Sequence, residues 1–333
     1  MKNTIVMLAI LALAPQLLAY TPISDERRAE LLVQFQYTPQ VQVHKFPQQV
    51  GCKAQDVHYD TTYPQRETPY RVQAQAYVPN KANVPVVFML PPLGGSNQLD
   101  RAMAMAFCRN NIAAFVILND FTGLDSNTLM PVTDHDHTPR RVVSAVKGGI
   151  LVAQAFPNIN TRKVGLFGAS LGGILGSIAY GVMPEVSAAT FIVNGGDVPN
   201  TLAYSDQQPI IRIKRGRMAA ENLKNEAEYE HYLNQHITLD PLHFAPLIVP
   251  ESIKLYLSRN DKAVPSANQM AFYRAVGSPK ETGFYAVDHG LTIFAVLGIG
   301  DQKQAIANWF HGRFAQPNPR DLYTDSVYSL DNP

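Results

Sequence analysis

Charge is scarce in this chain. Asp, Glu, Lys and Arg make up 17% of its 333 residues, below the usual quarter. The two signs nearly cancel, with 28 basic side chains against 27 acidic and a formal net charge of +1. That balance gives no electrostatic case for a nucleic-acid partner. Cysteine is scarcer still. Cys52 and Cys108 are the only two, so at most one disulfide is available. There is no internal repeat and no low-complexity block. The apolar stretch near the start, Thr4 to Leu13, is too short for a comfortable membrane span, and none is expected in the mature chain. The length suffices to bury a large core in one domain.

The first positive feature is the start of the chain. Lys2 supplies a short basic region, the apolar stretch follows, and Leu17-Leu18-Ala19 offers a small residue before Tyr20. Residues 1–19 therefore read as a cleaved signal peptide, which sends the mature chain to the periplasm or outside the cell. No cysteine ends the segment, which disfavours a lipid anchor. An oxidising compartment permits a disulfide between Cys52 and Cys108. It would tie the segment before the first strand to a helix over Asn97 to Asn110. Two buried thiols are the alternative.

The most informative run is Gly168-Ala169-Ser170-Leu171-Gly172. A strand-like segment, Arg162 to Phe167, precedes it, and a small-residue helix, Leu171 to Ala179, follows. A turn this sharp holds the central serine strained and exposed, and the glycines let strand and helix pass closely. A serine nucleophile needs a base, and the base needs an orienting carboxylate. With such a turn the acid and then the histidine follow the serine in the chain. Asp261 leaves the strand Ser252 to Ser258, at the carboxyl end where open α/β sheets assemble their sites. His231, His236 and His243 precede it, and His311 sits in a terminal helix over Ala305 to His311. His289 remains, on a loop after the strand Gly283 to Val287. Ser170, His289 and Asp261 are thus the candidate nucleophile, general base and orienting acid. Asp288, adjacent to His289 in the chain, is poorly placed to orient that ring. Two backbone amides must receive the developing oxyanion. Leu171 supplies one. The loop after the apolar run Val84 to Leu90 supplies the other, and since Pro91 and Pro92 have no N–H, Leu93 is its first donor.

These runs resemble the serine α/β-hydrolases over about residues 53 to 315. The resemblance is carried by Leu90-Pro91-Pro92-Leu93-Gly94-Gly95, Gly168 to Gly173, Asp261-Lys262-Ala263-Val264-Pro265 and Asp288-His289-Gly290. Many members carry His-Gly where this chain has Pro91-Pro92. The resemblance implies carboxyl-ester hydrolysis through an acyl-serine, on a small-molecule or lipid-like ester. A peptidase or amidase would use the same triad, and an inactive binding protein could keep the fold. No cofactor and no metal is required, and the oligomeric state is open.

The remaining segments follow the expected order. Gln55 to Tyr63 and Tyr70 to Val78 read as an antiparallel pair, from the alternation Tyr70, Val72, Ala74, Ala76, Val78. Ile112 to Asn119 and Ala188 to Asn194 read as core strands, and Pro139 to Phe156 as a helix. The fold class is α/β, a mostly parallel sheet with helices on both faces. Asp197 to Pro250 is too long for one crossover and predicts a small cap. Within it Met218 to His236 reads as one helix, led by a basic cluster (Arg212, Lys214, Arg215, Arg217) expected on a solvated face. Residues 20–52 form a polar extension and residues 316–333 a loosely held tail. Asp134-His135-Asp136-His137 has donors that suit zinc, but its spacing is unspecific and a structural loop is the expected role.

Overall fold

Nine strands form one sheet among the described residues, and its middle is built from the most apolar runs of the chain. The structure, a computed structural model, describes residues 22–46, 51–66, 68–118, 134–299 and 301–322. The strands are β1 (Val41–Lys45), β2 (Gly51–Thr61), β3 (Tyr70–Val78), β4 (Val84–Leu90), β5 (Ala113–Ile117), β6 (Ile159–Ala169), β7 (Val186–Ile192), β8 (Ile253–Ser258) and β9 (Thr282–Tyr285). They lie in the order β1-β2-β3-β5-β4-β6-β7-β8-β9. The first three pairings, β1 with β2, β2 with β3 and β3 with β5, are antiparallel, and the rest are parallel. Every residue of β4, β5 and β7 is buried, as a parallel strand covered on both faces requires.

Side chains alternate between two apolar layers. Val86, Phe88 and Leu90 of β4 enter one layer, Val87 and Met89 the other. Helices α1 (Asp25–Val33), α3 (Asp134–Ala153), α4 (Leu171–Val182) and α9 (Ser266–Ala275) cover the first. Helices α2 (Gln98–Arg109), α10 (His289–Leu297) and α11 (Gln302–Phe314) cover the second. Between β7 and β8 the chain builds α5 (Val198–Tyr204), α6 (Gln208–Ala220), α7 (Glu226–His236) and the single turn α8 (Pro241–Phe244). Ala203, Tyr229, Leu233 and Ile237 give this insertion a small core of its own.

Several elements differ from the sequence expectation. The polar stretch before residue 53 contributes α1 and the edge strand β1, and Cys52 lies within β2 rather than before the first strand. Helix α3 starts five residues ahead of Pro139, so that proline lies inside it. The single helix expected over Met218 to His236 is two. Asn222 takes a left-handed φ of 55°, and Asn225 caps α7 by accepting from the Glu228 amide at 2.9 Å. The basic cluster falls on α6 and is not uniformly solvated. Lys214 is buried, with Nζ donating to the Ala203 carbonyl at 2.7 Å. The start of the tail is pinned. Arg320 is buried, donates to the Met183 carbonyl at 2.8 Å and lies 4.4 Å from the Tyr180 ring centre. Residues 1–19 and the tail beyond residue 322 lie outside the described residues. Among the described residues no helix is long and apolar enough to cross a membrane.

Candidate active site

Ser170 occupies the turn from β6 into α4. Its φ of 54° is a left-handed value rare for a side-chain-bearing residue, and it is 5% exposed. Two close approaches permit the turn. A Cβ on Gly168 would fall 2.3 Å from the Gly172 carbonyl oxygen, and one on Gly172 would fall 2.3 Å from the Leu90 carbonyl oxygen. The second contact presses the start of α4 against the end of β4. It thereby brings the loop after β4 to the serine.

Three predicted side chains meet in one line. His289 Nε2 lies 2.9 Å from Ser170 Oγ, and His289 Nδ1 lies 2.7 Å from Asp261 Oδ2. A carboxylate only accepts, so the proton of the neutral ring sits on Nδ1 and Nε2 is left to accept from the serine hydroxyl. His289 is the first residue of α10 rather than a loop residue. Asp288 is the N-cap of that helix, its Oδ1 accepting from the Leu291 amide at 2.9 Å. That role explains why the adjacent carboxylate is not the one facing the ring.

Asp261 is held from four directions. The Ala263 and Val264 amides donate to Oδ1 at 2.8 and 3.0 Å. Gln269 Nε2 donates to Oδ2 at 2.8 Å, beside the His289 bond. The carboxylate has no exposed surface. Gln269 was not anticipated from sequence. It is fully buried on α9 and also accepts from the Ser258 amide at 2.9 Å. Its only sequence signal is a place one helix past the acid, which no motif marks.

Leu93 and Leu171 line one cavity with the serine. The Leu171 amide is the first of α4 and has no intrahelical partner. The Leu93 amide has no acceptor among the described residues. The loop carrying Leu93 turns at Pro92–Gly95, where the Gly95 amide donates to the Pro92 carbonyl at 3.1 Å. It then enters α2 through a reciprocal cap. Asn97 Oδ1 accepts from the Leu99 amide at 2.8 Å, and Asp100 Oδ2 accepts from the Asn97 amide at 2.9 Å. At its far end α2 is joined to β2 by a disulfide between Cys108 and Cys52, with Cα atoms 5.6 Å apart.

The Asp134 to His137 segment opens α3. Asp136 accepts from the Thr238 and Leu239 amides, each at 3.0 Å, and His137 Nδ1 lies 3.0 Å from the Tyr63 hydroxyl. His135 lines the cavity beside Ser170. Among the described residues no three His, Cys, Asp or Glu side chains gather as a metal site.

No family model and no curated protein matches the chain. Solved structures do. Acetyl xylan esterase 1 from Thermoanaerobacterium sp. JW/SL YS485 matches with a TM-score of 0.56 at 16% identity, over 81% of this chain and 90% of that one. An acetyl xylan esterase from Paenibacillus sp. R4 matches with 0.57 at 14%, over 87% and 93%. The α/β hydrolase GrgF from Penicillium sp. sh18 matches with 0.56 at 14%, over 79% and 100%. At these identities the likeness is one of fold. Together with the mostly parallel nine-stranded sheet and the serine on its strand-to-helix turn, it shows that the chain has the α/β-hydrolase fold.

Proposed function

We propose that the protein is an exported serine hydrolase that cleaves carboxyl esters through an acyl-serine intermediate. The observation that carries this reading is the hydrogen-bonded line from Ser170 Oγ through His289 to Asp261, at 2.9 and 2.7 Å. Ser170 Oγ attacks the ester carbonyl while His289 Nε2 takes its proton. The carbonyl oxygen becomes an oxyanion facing the Leu93 and Leu171 amides. As the intermediate collapses, the carbon–alkoxide bond breaks and Nε2 hands the proton to the leaving alcohol. Water then attacks the acyl-serine with the same histidine as base, releasing the acid and restoring the hydroxyl. Asp261 keeps the Nδ1 tautomer and stabilises the imidazolium while it exists. No metal or cofactor takes part in this sequence.

The esterases among the solved structures of like fold support ester over amide substrates. Export is supported by the composition of residues 1–19 and suits a chain whose two cysteines are bonded. The test is a panel of p-nitrophenyl esters assayed beside peptide p-nitroanilides. Ester turnover with inert anilides is the expected result. Anilide turnover exceeding that of every ester would assign a peptidase instead, and no turnover of either would point to a binding protein.

A further inference from the structure

The relay fixes which half of the ester lies where. We infer that the cavity beside Ser170 is an acyl pocket selecting straight, uncharged, medium-length chains of about six to eight carbons over acetyl groups, its depth following from the helical rise along one wall. This inference rests on the acyl-serine reading above.

Orientation comes first. The proton taken from Ser170 must pass from His289 Nε2 to the leaving alcohol, so the alcohol stands on the histidine's side. The cavity is walled by Ser170, Leu171 and Leu93, and neither His289 nor any other described residue of α10 lines it. It therefore opens on the acyl side of the scissile bond. On the histidine's own helix, α10, Leu291 and Phe294 are 53% and 48% exposed. An alcohol leaving there meets open surface.

Depth comes from α4. Leu171, Ile174, Leu175 and Ile178 line the cavity at the i, i+3, i+4, i+7 spacing of one helix face. From Leu171 to Ile178 the helix rises about 10 Å, the length of roughly eight carbons of an extended chain. Ile178 is fully buried and forms the floor, whereas Ile174 and Leu175 keep 7% of their surface open.

Chemistry comes from the rest of the lining. Val198 and Leu202 of α5 and Ile210 of α6 add to the apolar residues of α4. The lining also carries His135, Thr138, Thr201, Ser205 and Gln207, but among the described residues it holds no carboxylate, lysine or arginine, so a charged acyl group would give up its hydration for no fixed counter-charge. An acetyl group would fill only the part nearest Ser170. Each further methylene removed from water favours the longer ester by about 4-fold, and ordering the chain takes back part of that gain. An octanoyl ester should therefore exceed the acetyl ester in kcat/KM by about 100-fold.

The test is a p-nitrophenyl ester series from acetyl to palmitoyl, on the wild type and on Ile174→Trp and Ile210→Trp. These two residues belong to neither main core layer and line the cavity from two different helices, α4 and α6. The wild type should peak at hexanoyl to octanoyl. Each Trp variant should move the peak to butyryl or shorter. A methyl, butyl and benzyl series of octanoates should vary less than 10-fold. A wild-type peak at acetyl, a flat acyl profile, or two folded Trp variants that keep the wild-type peak would overturn the pocket. Labelling of Ser170 by a small fluorophosphonate is measured in parallel. Labelled Ser170 with the wrong chain profile refutes the pocket alone, whereas unlabelled Ser170 refutes the acyl-serine reading and the pocket with it.

Discussion

Replacing Asp261 by Asn changes one atom and should silence the site. The carboxylate accepts from Ala263, Val264, Gln269 and His289 and donates to none of them. An amide at this position has one acceptor and one donor group. Its oxygen will stay with the two backbone amides, which cannot move. Its NH2 then replaces Oδ2 and faces Gln269 Nε2 and His289 Nδ1. Gln269 cannot turn to accept without giving up the Ser258 amide. His289 can adapt, by moving its proton to Nε2 and accepting on Nδ1. In that tautomer Nε2 points an N–H at Ser170 Oγ and cannot receive the serine proton. Loss of the correct tautomer lowers kcat by about 10⁴, or about 5 kcal/mol of barrier. Asp288→Asn is the control, because Asn caps a helix as well as Asp does, so the Leu291 contact survives and kcat should stay within about 3-fold. Both variants are assayed for ester turnover, with thermal melts to establish that they fold. An Asp288→Asn loss exceeding that of Asp261→Asn would refute the assignment of the acid.

Two further outcomes follow from the surrounding structure. Reducing the Cys52–Cys108 disulfide opens a link of 56 residues. The chain-entropy model gives about 4 kcal/mol for such a loop, which for a domain of this size lowers Tm by roughly 6 to 7 °C. An unchanged melt after reduction would contradict the bond, whereas activity at 25 °C should persist. Asp197, at the start of α5, has its carboxyl pushed up to about 6, by burial first and then by Asp240. A raised folded pKa means that the folded state holds this proton between about pH 4 and 6, while the unfolded chain has lost it. The associated stability is complete below about pH 4 and lost as pH rises through 6. Asp197→Asn keeps the cap to the Asn200 amide and tolerates the left-handed φ, and should gain about 2 kcal/mol over the wild type at pH 8. Melts at pH 4 and 8 decide it, and a variant equally or less stable at both would remove the ionisation argument.

The centre of the fold was readable because its signals are local. β4, β5 and β7 are short apolar runs buried on both faces, and the serine turn is set by glycines whose neighbours admit no Cβ. Chain order then narrowed the histidines to His289 and His311, the terminal-helix position of His311 left His289, and the structure brings His289, Ser170 and Asp261 together. The edges were not readable for the opposite reason. β1 is Val-Gln-Val-His-Lys, mostly exposed, and it is a strand because β2 offers it backbone partners. The break between α6 and α7 rests on the left-handed backbone of Asn222 and the cap at Asn225; an Asn three residues before Glu228 is a helix-start signal that the helical spacing of the apolar residues on either side outweighed. Gln269 and Lys214 carry polar atoms into the interior, and only tertiary neighbours show where their bonds go. Arg320 lies in a Pro- and Asn-rich stretch that reads as loose until the Met183 carbonyl and the Tyr180 ring are seen beside it.

The central claim is that Ser170 is a nucleophile activated by His289. Treating the protein with a fluorophosphonate and mapping the adduct by peptide mass tests it most directly. The account predicts one adduct per chain, on Ser170, with loss of ester turnover in proportion to labelling and no labelling of Ser170→Ala. Stoichiometric labelling of the Ser170→Ala variant, or an adduct on Ser96 or Ser258 in the wild type, would contradict it.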